Sequence, residues 1–305
     1  MAVWIPSGAT VENESWTPLK LLDWTTKYFD KNNVEQPRLD AELLLAHVLG
    51  IERIMLYTGF DRVLDDEQLS RFRAFVRERA AGCPAKYILK RCEFYSLSLA
   101  VDSRVLIPRP ETELLVERAL AILAARETAE FPLVVEIGVG SGAISIALAA
   151  SFPNAAYVAT DVSTQALEVA RANAAAHSLD ARIEFIAGDL FDPLATMGLE
   201  GRVDLIVSNP PYISEEEFKA LPREIRNYEP ACALVAGPEG TEVHIRILDS
   251  AASFLAPGGV LLMEIDPAQR ARLEAEVGER PQYSKPLFHR DFARLDRVIE
   301  VSRDS

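Results

Sequence analysis

The first part of the chain has the spacing of apolar residues that is typical of short amphipathic helices. Thr17-Pro18 matches a helix cap followed by proline at the first helical position. A second helix is predicted from near Arg38 through DAELLLAHVLG, where Gly50 would close it. Further helical patterns cover about 51–58 and 66–81. We therefore predict a small all-helical domain over residues 1–88.

The pattern changes between about 90 and 108, where apolar and polar residues alternate in two short runs, CEFYSLSLAV and RVLIP. Such alternation predicts β-strands, and the prolines after the second run would end it. Residues 89–110 are therefore predicted to be a β-hairpin that connects two domains.

From Glu111 onward, apolar runs of strand length alternate with amphipathic helical patterns. This alternation predicts a mainly parallel sheet with helices on both faces, and such sheets bind ligands at the carboxyl ends of their strands. Residues 111–305 are thus predicted to form a Rossmann-like α/β domain. The predicted elements are helix 111–126, strand 132–137, helix 142–151, strand 156–161, helix 164–177, strand 182–187, strand 203–208, helix 242–255 and strand 258–265.

Length and composition are consistent with two folded domains. The chain has 305 residues, and a hydrophobic content of 49% is enough for each domain to form a core. No stretch reaches the ~18 uncharged apolar residues of a membrane span, and the first residues lack the features of a secretory signal. We expect a soluble, cytoplasmic protein. Cys83, Cys92 and Cys232 lack CxxC spacing, so neither a disulfide framework nor a metal site is expected.

The formal net charge of −14 argues against a large nucleic-acid surface, because binding to phosphates depends on Lys and Arg. A protein or small-molecule substrate fits this charge better, and no stable nucleic-acid binding is expected. One basic run has two interpretations: a solvated helix face, or contact with RNA near a protein substrate. The run comprises Arg71, Arg73, Arg77, Arg79, Lys86, Lys90 and Arg91.

A glycine-rich turn follows the first predicted strand of the α/β domain. It contains Gly138, Gly140 and Gly142, and the helical sequence AISIALAAS begins directly afterwards. Glycines let the backbone approach a ligand closely. The spacing G-x-G-x-G differs from the G-x-G-x-x-G of dinucleotide sites, and the G-x-x-x-x-G-K-[ST] of phosphoryl transfer is missing. Alone, the turn is equally compatible with a purely structural role.

Acidic residues lie at the ends of the strands around this turn. Asp161 ends the second strand, where a carboxylate can accept hydrogen bonds from both ribose hydroxyls. Asp189 follows the third strand and suits an adenine amino group, with Leu190 and Phe191 as an apolar wall. Glu136 suits the amino group of a methionine moiety, although helix capping is an alternative. Together these strand ends predict a bound adenosine better than unrelated loops would.

The sequence Asn209-Pro210-Pro211-Tyr212 directly follows the strand VDLIVS. Tandem prolines fix the backbone and remove two N–H donors, so the loop is predicted to be rigid and to present acceptors. The Asn209 side-chain oxygen and the Pro210 carbonyl can each accept one proton of a planar NH2 group. This aims the nitrogen at the sulfonium methyl of S-adenosylmethionine, while Tyr212 packs on the substrate. Asn209, Pro210 and Tyr212 are therefore the predicted catalytic residues, and Pro211 completes the substrate site.

The chain resembles the HemK/PrmC family of protein-glutamine methyltransferases, which modify the Gly-Gly-Gln glutamine of peptide chain release factors. The resemblance implies a helical amino-terminal domain that helps to dock the release factor. It also implies a Rossmann-like class I domain that holds S-adenosylmethionine and the glutamine. It covers nearly the whole chain and rests on DAELLLAHVLG at 40–50, VLIPRPETELLVE at 105–117, EIGVGSGAI at 136–144, SNPPYI at 208–213, YEPACAL at 228–234, LAPGGVLLMEI at 255–265 and DFARLDRVIEV at 291–301.

The segment Arg109-Pro110-Glu111-Thr112-Glu113 favours the release-factor group, because similar enzymes that methylate a ribosomal-protein glutamine usually differ after the I-P-R segment. Glu136 stands where the family commonly has aspartate. The segment TEVHIRIL at 241–248 and Asp266 also depart from the usual pattern, so the local loop geometry stays open there.

Three alternatives to release-factor methylation remain at this point. One is glutamine methylation of a ribosomal protein. Another is methylation of the adenine amino group in nucleic acid, which uses the same N-P-P-Y chemistry but is disfavoured by the acidic charge. The third is a binding module without catalysis, which would be expected to carry a broken N-P-P-Y or glycine motif. The protein is expected to be a monomer.

Overall fold

The computed structural model describes residues 16–57, 63–125 and 131–304, and these divide into two compact units. The first, here called the helical unit, extends to Lys90 and includes Arg223–Tyr228. The second, here called the sheet unit, comprises Arg91–Pro222 and the chain from Glu229 onward.

The described residues form helices, strands and four short 3-10 helices. The helices are α1 (Pro18–Lys31), α2 (Pro37–Leu49), α3 (Asp66–Ala80), α4 (Ala85–Leu89), α5 (Glu113–Ala125), α6 (Ala143–Ser151), α7 (Thr164–Ala176), α8 (Asp192–Thr196), α9 (Glu215–Ala220), α10 (Arg223–Tyr228), α11 (Glu242–Phe254) and α12 (Arg270–Gly278). The strands are β1 (Arg91–Phe94), β2 (Leu97–Ala100), β3 (Leu133–Ile137), β4 (Ala156–Asp161), β5 (Ile183–Ala187), β6 (Val203–Ser208), β7 (Ile213–Ser214), β8 (Val235–Gly237), β9 (Leu255–Glu264), β10 (Leu287–Arg290) and β11 (Asp296–Ser302). The 3-10 helices are Arg53–Leu56, Pro110–Thr112, Ala231–Ala233 and Pro267–Gln269. Within the described ranges, no helix combines the length and apolar composition that a membrane crossing requires.

Two of the helix ends in the helical unit carry the predicted signals. Pro18 lies in the first turn of α1, and α2 ends at Gly50, whose φ of 65° is left-handed. A capping box starts α3, because Asp65 and Gln68 accept hydrogen bonds from each other's backbone N–H groups. The core of the unit contains the fully buried side chains of Leu21, Leu22, Phe29, Leu44, Leu45 and Phe72.

The prediction for residues 51–58 was only partly correct. The chain forms a single 3-10 turn at Arg53–Leu56, and residue 58 lies outside the described residues. Four residues are too few for a continued α-helical hydrogen-bond ladder. The prediction for 66–81 is confirmed by α3.

A buried arginine connects three helices of the helical unit. Arg79 of α3 is only 4% exposed, and its Nε donates to Asp40 of α2 at 2.6 Å. Its Nη2 donates to Glu224 of α10 at 2.5 Å, and its Nη1 donates to the Cys83 carbonyl at 3.3 Å. Because a buried guanidinium needs counter-charges, the two carboxylates fix α2 and α10 to α3.

The sheet unit begins with the antiparallel hairpin of β1 and β2. Its two turn residues, Tyr95 and Ser96, both have positive φ values, of 48° and 61°, as a type I′ turn requires. The predicted strand RVLIP is wrong, because Arg104–Pro108 has no strand structure. The Ile107 N–H donates to the Glu229 carboxylate instead of to a strand partner, and proline has no N–H to donate.

A seven-stranded sheet forms the centre of this unit, with the order β10-β11-β9-β6-β3-β4-β5. The five strands from β9 to β5 are parallel, whereas β11 pairs antiparallel with both of its neighbours, β9 and β10. The mainly parallel sheet predicted from the sequence is therefore confirmed. The chain leaves β3 toward β4 and β5 on one side and returns to β6 on the other, and this reversal opens a crevice at the carboxyl ends of the strands.

Successive side chains of the central strands enter opposite cores, as the pleat requires. Val134 and Leu205 pack in the layer that contains α5, α6 and α7. Val135 and Ile206 pack in the layer that contains α8, α11 and α12. The predicted cover of helices on both faces is thus confirmed.

Most element bounds in the sheet unit agree with the sequence pattern. The strands at 156–161 and 203–208 are as predicted, while β9 begins at Leu255 and α5 begins at Glu113 after a 3-10 turn. Residue 126, at the end of the predicted first helix, lies outside the described residues. The short helices α8, α9 and α10 were not predicted, because a few residues carry no clear helical period.

Replacing Asp40 by Ala should destabilise the helical unit by about 3 kcal/mol, because one carboxylate would be lost from a buried guanidinium. Urea unfolding followed by tryptophan fluorescence measures this unit, since the chain has no tryptophan after Trp24. Asp23→Ala is the control: Asp23 forms an exposed pair with Arg38 at 2.9 Å, and its loss should cost less than about 1 kcal/mol. Equal losses in both variants would contradict the role of burial.

Candidate active site

A cavity of about 340 Å³ lies in the sheet unit at the carboxyl ends of β3, β4, β5 and β6. This is the crevice at the point where the strand order reverses. Among the residues predicted for the site, its lining contains Glu136, Gly138, Gly140, Asp161, Asp189, Leu190, Asn209 and Pro211. The residues described as lining it do not include Gly142, Phe191, Pro210 and Tyr212.

The glycine turn between β3 and α6 is left-handed at all three glycines. A Cβ atom at Gly138 or Gly140 would meet no atom within 4 Å, so the backbone is bare toward the cavity at these positions. A Cβ atom at Gly142 would lie 2.9 Å from Ile146 Cδ1 and 3.3 Å from the Ala170 backbone. Two glycines therefore leave room for a ligand, and the third allows α6 and α7 to pack closely.

Asp161 connects the end of β4 to the glycine turn. Its Oδ2 accepts from the Gly140 N–H at 2.9 Å, and its Oδ1 accepts from the Ser163 N–H at 2.8 Å. Burial raises the pKa of the Asp161 carboxyl, while these two hydrogen bonds lower it. Each carboxylate oxygen has a further lone pair, so Asp161 can still accept hydrogen bonds from a ligand in the cavity.

Glu136 lies under the first turn of α6. Its Oε2 accepts from the Ser145 N–H at 2.9 Å and also from the Ser145 hydroxyl. Burial raises the pKa of Glu136 to about 8. The helix-capping interpretation of Glu136 is thus present in the structure, and the residue also lines the cavity, where it can face a ligand.

The predicted adenine wall is only partly in the cavity. Leu190 lines it with an unusual φ of 44°, and Asp189 also lines it. Phe191 is wrong as a wall residue, because its ring is buried in the core and stacks on Phe254 at 5.1 Å between centroids. Asp189 is held by Arg246, whose Nη2 donates to it at 2.6 Å.

The loop after β6 is attached to the centre of the sheet. The Ser208 hydroxyl donates to the Ile137 carbonyl at 2.7 Å, which ties the end of β6 to β3. Asn209 lines the cavity, and its Nδ2 donates to Thr112 Oγ1 at 3.1 Å. The Asn209 amide is therefore anchored on one side and faces the cavity beside it.

The remaining residues of this loop, Pro210 to Tyr212, are held by burial and by a hydrogen bond from Gln269. Pro210 is buried, and Pro211 lines the cavity. The Tyr212 carbonyl accepts from Gln269 Nε2 at 2.9 Å, and the same Nε2 donates to the Gly240 carbonyl at 2.7 Å. Burial raises the pKa of the Tyr212 phenol to about 12. The loop is thus held by side chains as well as by its prolines.

Three residues at or near the cavity were not predicted from the sequence: Arg246, Thr112 and Glu264. Arg246 lies in the segment that departs from the family pattern, whereas Thr112 lies in the P-E-T-E segment and lines the cavity. Glu264 is 2% exposed, and burial raises the pKa of its carboxyl to about 7. It ends a buried strand, as Glu136 nearly does, and this was the signal that could have identified it.

The irregular segment Arg104–Pro108, which precedes α5, forms another part of the cavity wall. Glu229 is buried, and it accepts from the Ile107 N–H at 3.2 Å and from Arg109 Nη2 at 2.7 Å. These bonds fix the irregular segment Arg104–Pro108, most of which lines the cavity. Glu229, which belongs to the YEPACAL segment, therefore shapes the cavity wall although it does not line the cavity itself.

The order of the sheet, together with the glycine turn, the strand-end acids and the Asn-Pro-Pro-Tyr loop, defines a class I methyltransferase domain. The catalytic domain of human Mettl16 has the same fold: its crystal structure is 16% identical, with a TM-score of 0.53, over 75% of this chain and 81% of that one. This likeness concerns the fold alone. Residues 112–226 match the family model of the methyltransferase small domain, and residues 20–89 match that of the PrmC N-terminal domain.

Two curated relatives match over almost their whole length. The release factor glutamine methyltransferase of Rhodopirellula baltica is 40% identical over 96% of this chain and 99% of its own. That of Chlorobaculum tepidum is 43% identical over 94% of this chain and 98% of its own. The chain belongs to the release factor glutamine methyltransferase family.

Replacing Glu136 by Gln should change the pH dependence of stability in the absence of ligand. The pKa of Glu136 is about 8 in the folded protein and near 4.5 in the unfolded chain. Between these values Glu136 is protonated in the folded state and ionised in the unfolded state, so the free energy of unfolding of the wild type decreases as pH rises. The stability of the variant relative to wild type should therefore increase from about pH 5 to about pH 8. Thermal melts across this range test it, and a constant difference would show that Glu136 does not titrate as described.

Proposed function

We propose that this protein methylates the side-chain amide nitrogen of the glutamine in the Gly-Gly-Gln motif of peptide chain release factors, with S-adenosylmethionine as the methyl donor. The observation that carries this proposal is the position of Asn209. It lies at the carboxyl end of β6, beside a glycine turn with open backbone, in a chain whose relatives are similar over their full length.

The cavity residues fit the proposed cofactor. We assign the ribose hydroxyls to Asp161, which keeps free lone pairs, and the open backbone at Gly138 and Gly140 to the neighbouring part of the cofactor. Asp189 is assigned to the adenine amino group and Leu190 to the adenine face. These residues lie in one cavity, as binding of a single nucleoside requires.

The remaining cofactor contacts belong to the methionine end. Glu136 is assigned to the amino group, with one oxygen on Ser145 and the other available. Gly142 supports the turn through helix packing, and Asn209 borders both ligands. When bound, S-adenosylmethionine supplies a methyl group that is activated by its sulfonium.

The loop Asn209–Tyr212 is assigned to the glutamine. An amide nitrogen is a weak nucleophile because its lone pair is delocalised, so the site must hold its two protons and fix its direction. The Asn209 side-chain oxygen and the Pro210 carbonyl are the proposed acceptors, and both gain strength as the nitrogen becomes positive. Pro211 and Tyr212 pack against the substrate side chain. The chain needs no strong base, because the methylated nitrogen is far more acidic.

The rest of the molecule is assigned by function. We propose domains at 1–88 for docking of the release factor, 89–110 for the connector and 111–305 for catalysis. The protein is proposed to act in the cytoplasm as a monomer without stable nucleic-acid binding. In the basic run, Arg79 is engaged inside the helical unit, and Arg71, Arg77, Lys90 and Arg91 are exposed, so the solvated face remains our interpretation.

A methyl-transfer assay tests the substrate. The protein is incubated with methyl-labelled S-adenosylmethionine and a release factor, its Gln→Ala variant in the Gly-Gly-Gln motif, ribosomal proteins, or DNA. We expect label only in the release factor with the glutamine. Equal labelling of the Gln→Ala variant, or labelling of DNA or ribosomal protein alone, would overturn the assignment in favour of the corresponding alternative.

Asn209→Ala should lower kcat by about 10²–10³-fold, the typical loss for an oriented polar group in a transition state. The affinity for S-adenosylhomocysteine, measured by calorimetry, should stay within about threefold, because the nucleoside contacts remain. Asn154→Ala, an exposed asparagine of the same unit, is the control and should leave both quantities unchanged. If Asn209→Ala loses the cofactor itself, its proposed role toward the glutamine is wrong.

A further inference from the structure

A turn that carries a fully exposed phenylalanine joins β10 to β11. It comprises residues 291–295 and is here called the hairpin tip. Phe292 is 104% exposed, more than any other large hydrophobic side chain in the described ranges, and Leu295 is 43% exposed. Single exposed apolar residues are common on protein surfaces. The hairpin tip is therefore informative only through its rigidity and its position.

Asp291 holds the hairpin tip in one conformation. Its N–H donates to the Leu295 carbonyl at 2.9 Å, and its Oδ1 accepts from the Leu295 N–H at 2.9 Å. The Arg294 N–H donates to the Asp291 carbonyl at 2.9 Å, and Arg294 has a left-handed φ of 64°. Asp291 Oδ2 also accepts from Arg297 Nε at 3.0 Å. Because the turn is already ordered, a partner that binds it loses little affinity to conformational entropy.

The base of the hairpin is attached to the rest of the sheet unit. Asp296, the first residue of β11, accepts from Arg270 Nη1 at 2.6 Å and from Arg290 Nε at 3.0 Å. The Arg270 guanidinium also lies over the Phe288 ring, 4.6 Å from its centroid. The hairpin tip consequently presents its apolar side chains at a fixed place relative to the sheet.

The hairpin tip rises from the same edge of the sheet as the loop after β6. Val298 pairs antiparallel with Glu264 of β9, and the preceding residue of β9 pairs in parallel with Ser208. Val298 is therefore level with Asn209, and the chain from Val298 back to Asp296 extends about 7 Å beyond that level. Since β11 is two strands away from β6, the lateral distance is about 10 Å. The hairpin tip thus flanks the loop that is assigned to the glutamine and projects beyond it.

The apolar area of the hairpin tip is too small for a stable interface of its own. A phenylalanine side chain buries about 150–250 Å², whereas a stable interface buries about 1,200–2,000 Å² in total. This argues against the hairpin tip as a dimer contact between two copies of the chain. A protein whose glutamine is held at the loop after β6 brings further surface to the same edge. The hairpin tip fits such a partner, because the interface is then anchored about 10 Å away.

We propose that the hairpin tip is a docking contact for the release factor, with Phe292 as the main anchor and Leu295 beside it. This proposal rests on the proposed function and adds a contact that lies outside both the cavity and the helical unit. The complementary surface is an apolar depression on the release factor near its Gly-Gly-Gln segment. Aromatic side chains are frequent energetic anchors of protein interfaces. Because the residues described as lining the cavity do not include the hairpin tip, it acts on recruitment and not on methyl transfer.

Phe292→Ser tests this contact in the full chain. At saturating S-adenosylmethionine, KM for the release factor should rise about tenfold. The value of kcat and the affinity for S-adenosylhomocysteine should stay within about twofold, because the cavity is unchanged. Phe131→Ser is the matched control: Phe131 is 64% exposed but precedes β3, at the opposite edge of the same sheet. It should leave all three quantities unchanged.

Two further variants separate an apolar contact from a disturbed hairpin. Phe292→Leu keeps an apolar side chain and should hold KM within about threefold of wild type, whereas Leu295→Ser should raise KM about threefold. An unchanged KM in Phe292→Ser, or an equal rise in Phe131→Ser, would overturn the proposal. So would a loss of kcat and of S-adenosylhomocysteine affinity that accompanies the rise in KM, because the change would then have reached the cavity.

Photo-crosslinking provides a measurement that does not depend on methyl transfer. The photoreactive residue p-benzoylphenylalanine is placed at position 292 or, as the control, at position 131, and each protein is irradiated with a release factor and S-adenosylhomocysteine. We expect a crosslink to the release factor from position 292 alone. The absence of this crosslink, or a crosslink to a second copy of the chain in its place, would overturn the proposal even if the wild type methylates the release factor. A release factor that crosslinks to position 292 but is never methylated would instead overturn the proposed function and leave the docking contact established.

Discussion

The parallel pairing of β3 with β4 on one side and β6 on the other is the constraint on which the site depends. The register aligns Ile137 with Thr160 and with Ser208, so the segments that follow these strands leave the sheet at the same level. The glycine turn, Asp161 and Asn209 thereby meet at one edge, although the chain between them is long. A slip of one residue in either pairing would turn each strand's buried side chains to the opposite face, which the two apolar layers strongly disfavour.

Sequence patterns predicted those elements that are determined by residues close together in the chain. The strands at 156–161 and 203–208 are mostly apolar, and their ends carry the residues that the site uses. The position of Thr112 could not be derived in this way, because it faces a residue that follows it by 97 positions in the chain. Phe191 and RVLIP were misassigned for a related reason: their hydrophobicity was visible, but the partners that they pack against were not.

Carboxylates carry much of the organisation of this acidic protein, and they do so in different ways. Glu229 and Asp161 hold backbone N–H groups and thereby shape loops around the cavity. Asp40 and Glu224 neutralise a buried arginine. Glu136 and Glu264 are buried with few partners, and burial raises the pKa of each. The buried acids of the sheet unit with raised pKa values therefore gather around the ligand cavity and the loop beside it, which is where such groups are expected to serve function.

The membership of α10 in the helical unit bears on how the protein is made. Arg79 takes one of its two carboxylates from Glu224, which lies 145 residues later in the chain. When only the first 90 residues have left the ribosome, the helical unit still lacks α10. Glu224 becomes available to Arg79 only after β3 to β6 have also been synthesised. The helical unit can begin to fold early during synthesis, but its folding can be completed only when most of the catalytic chain is present.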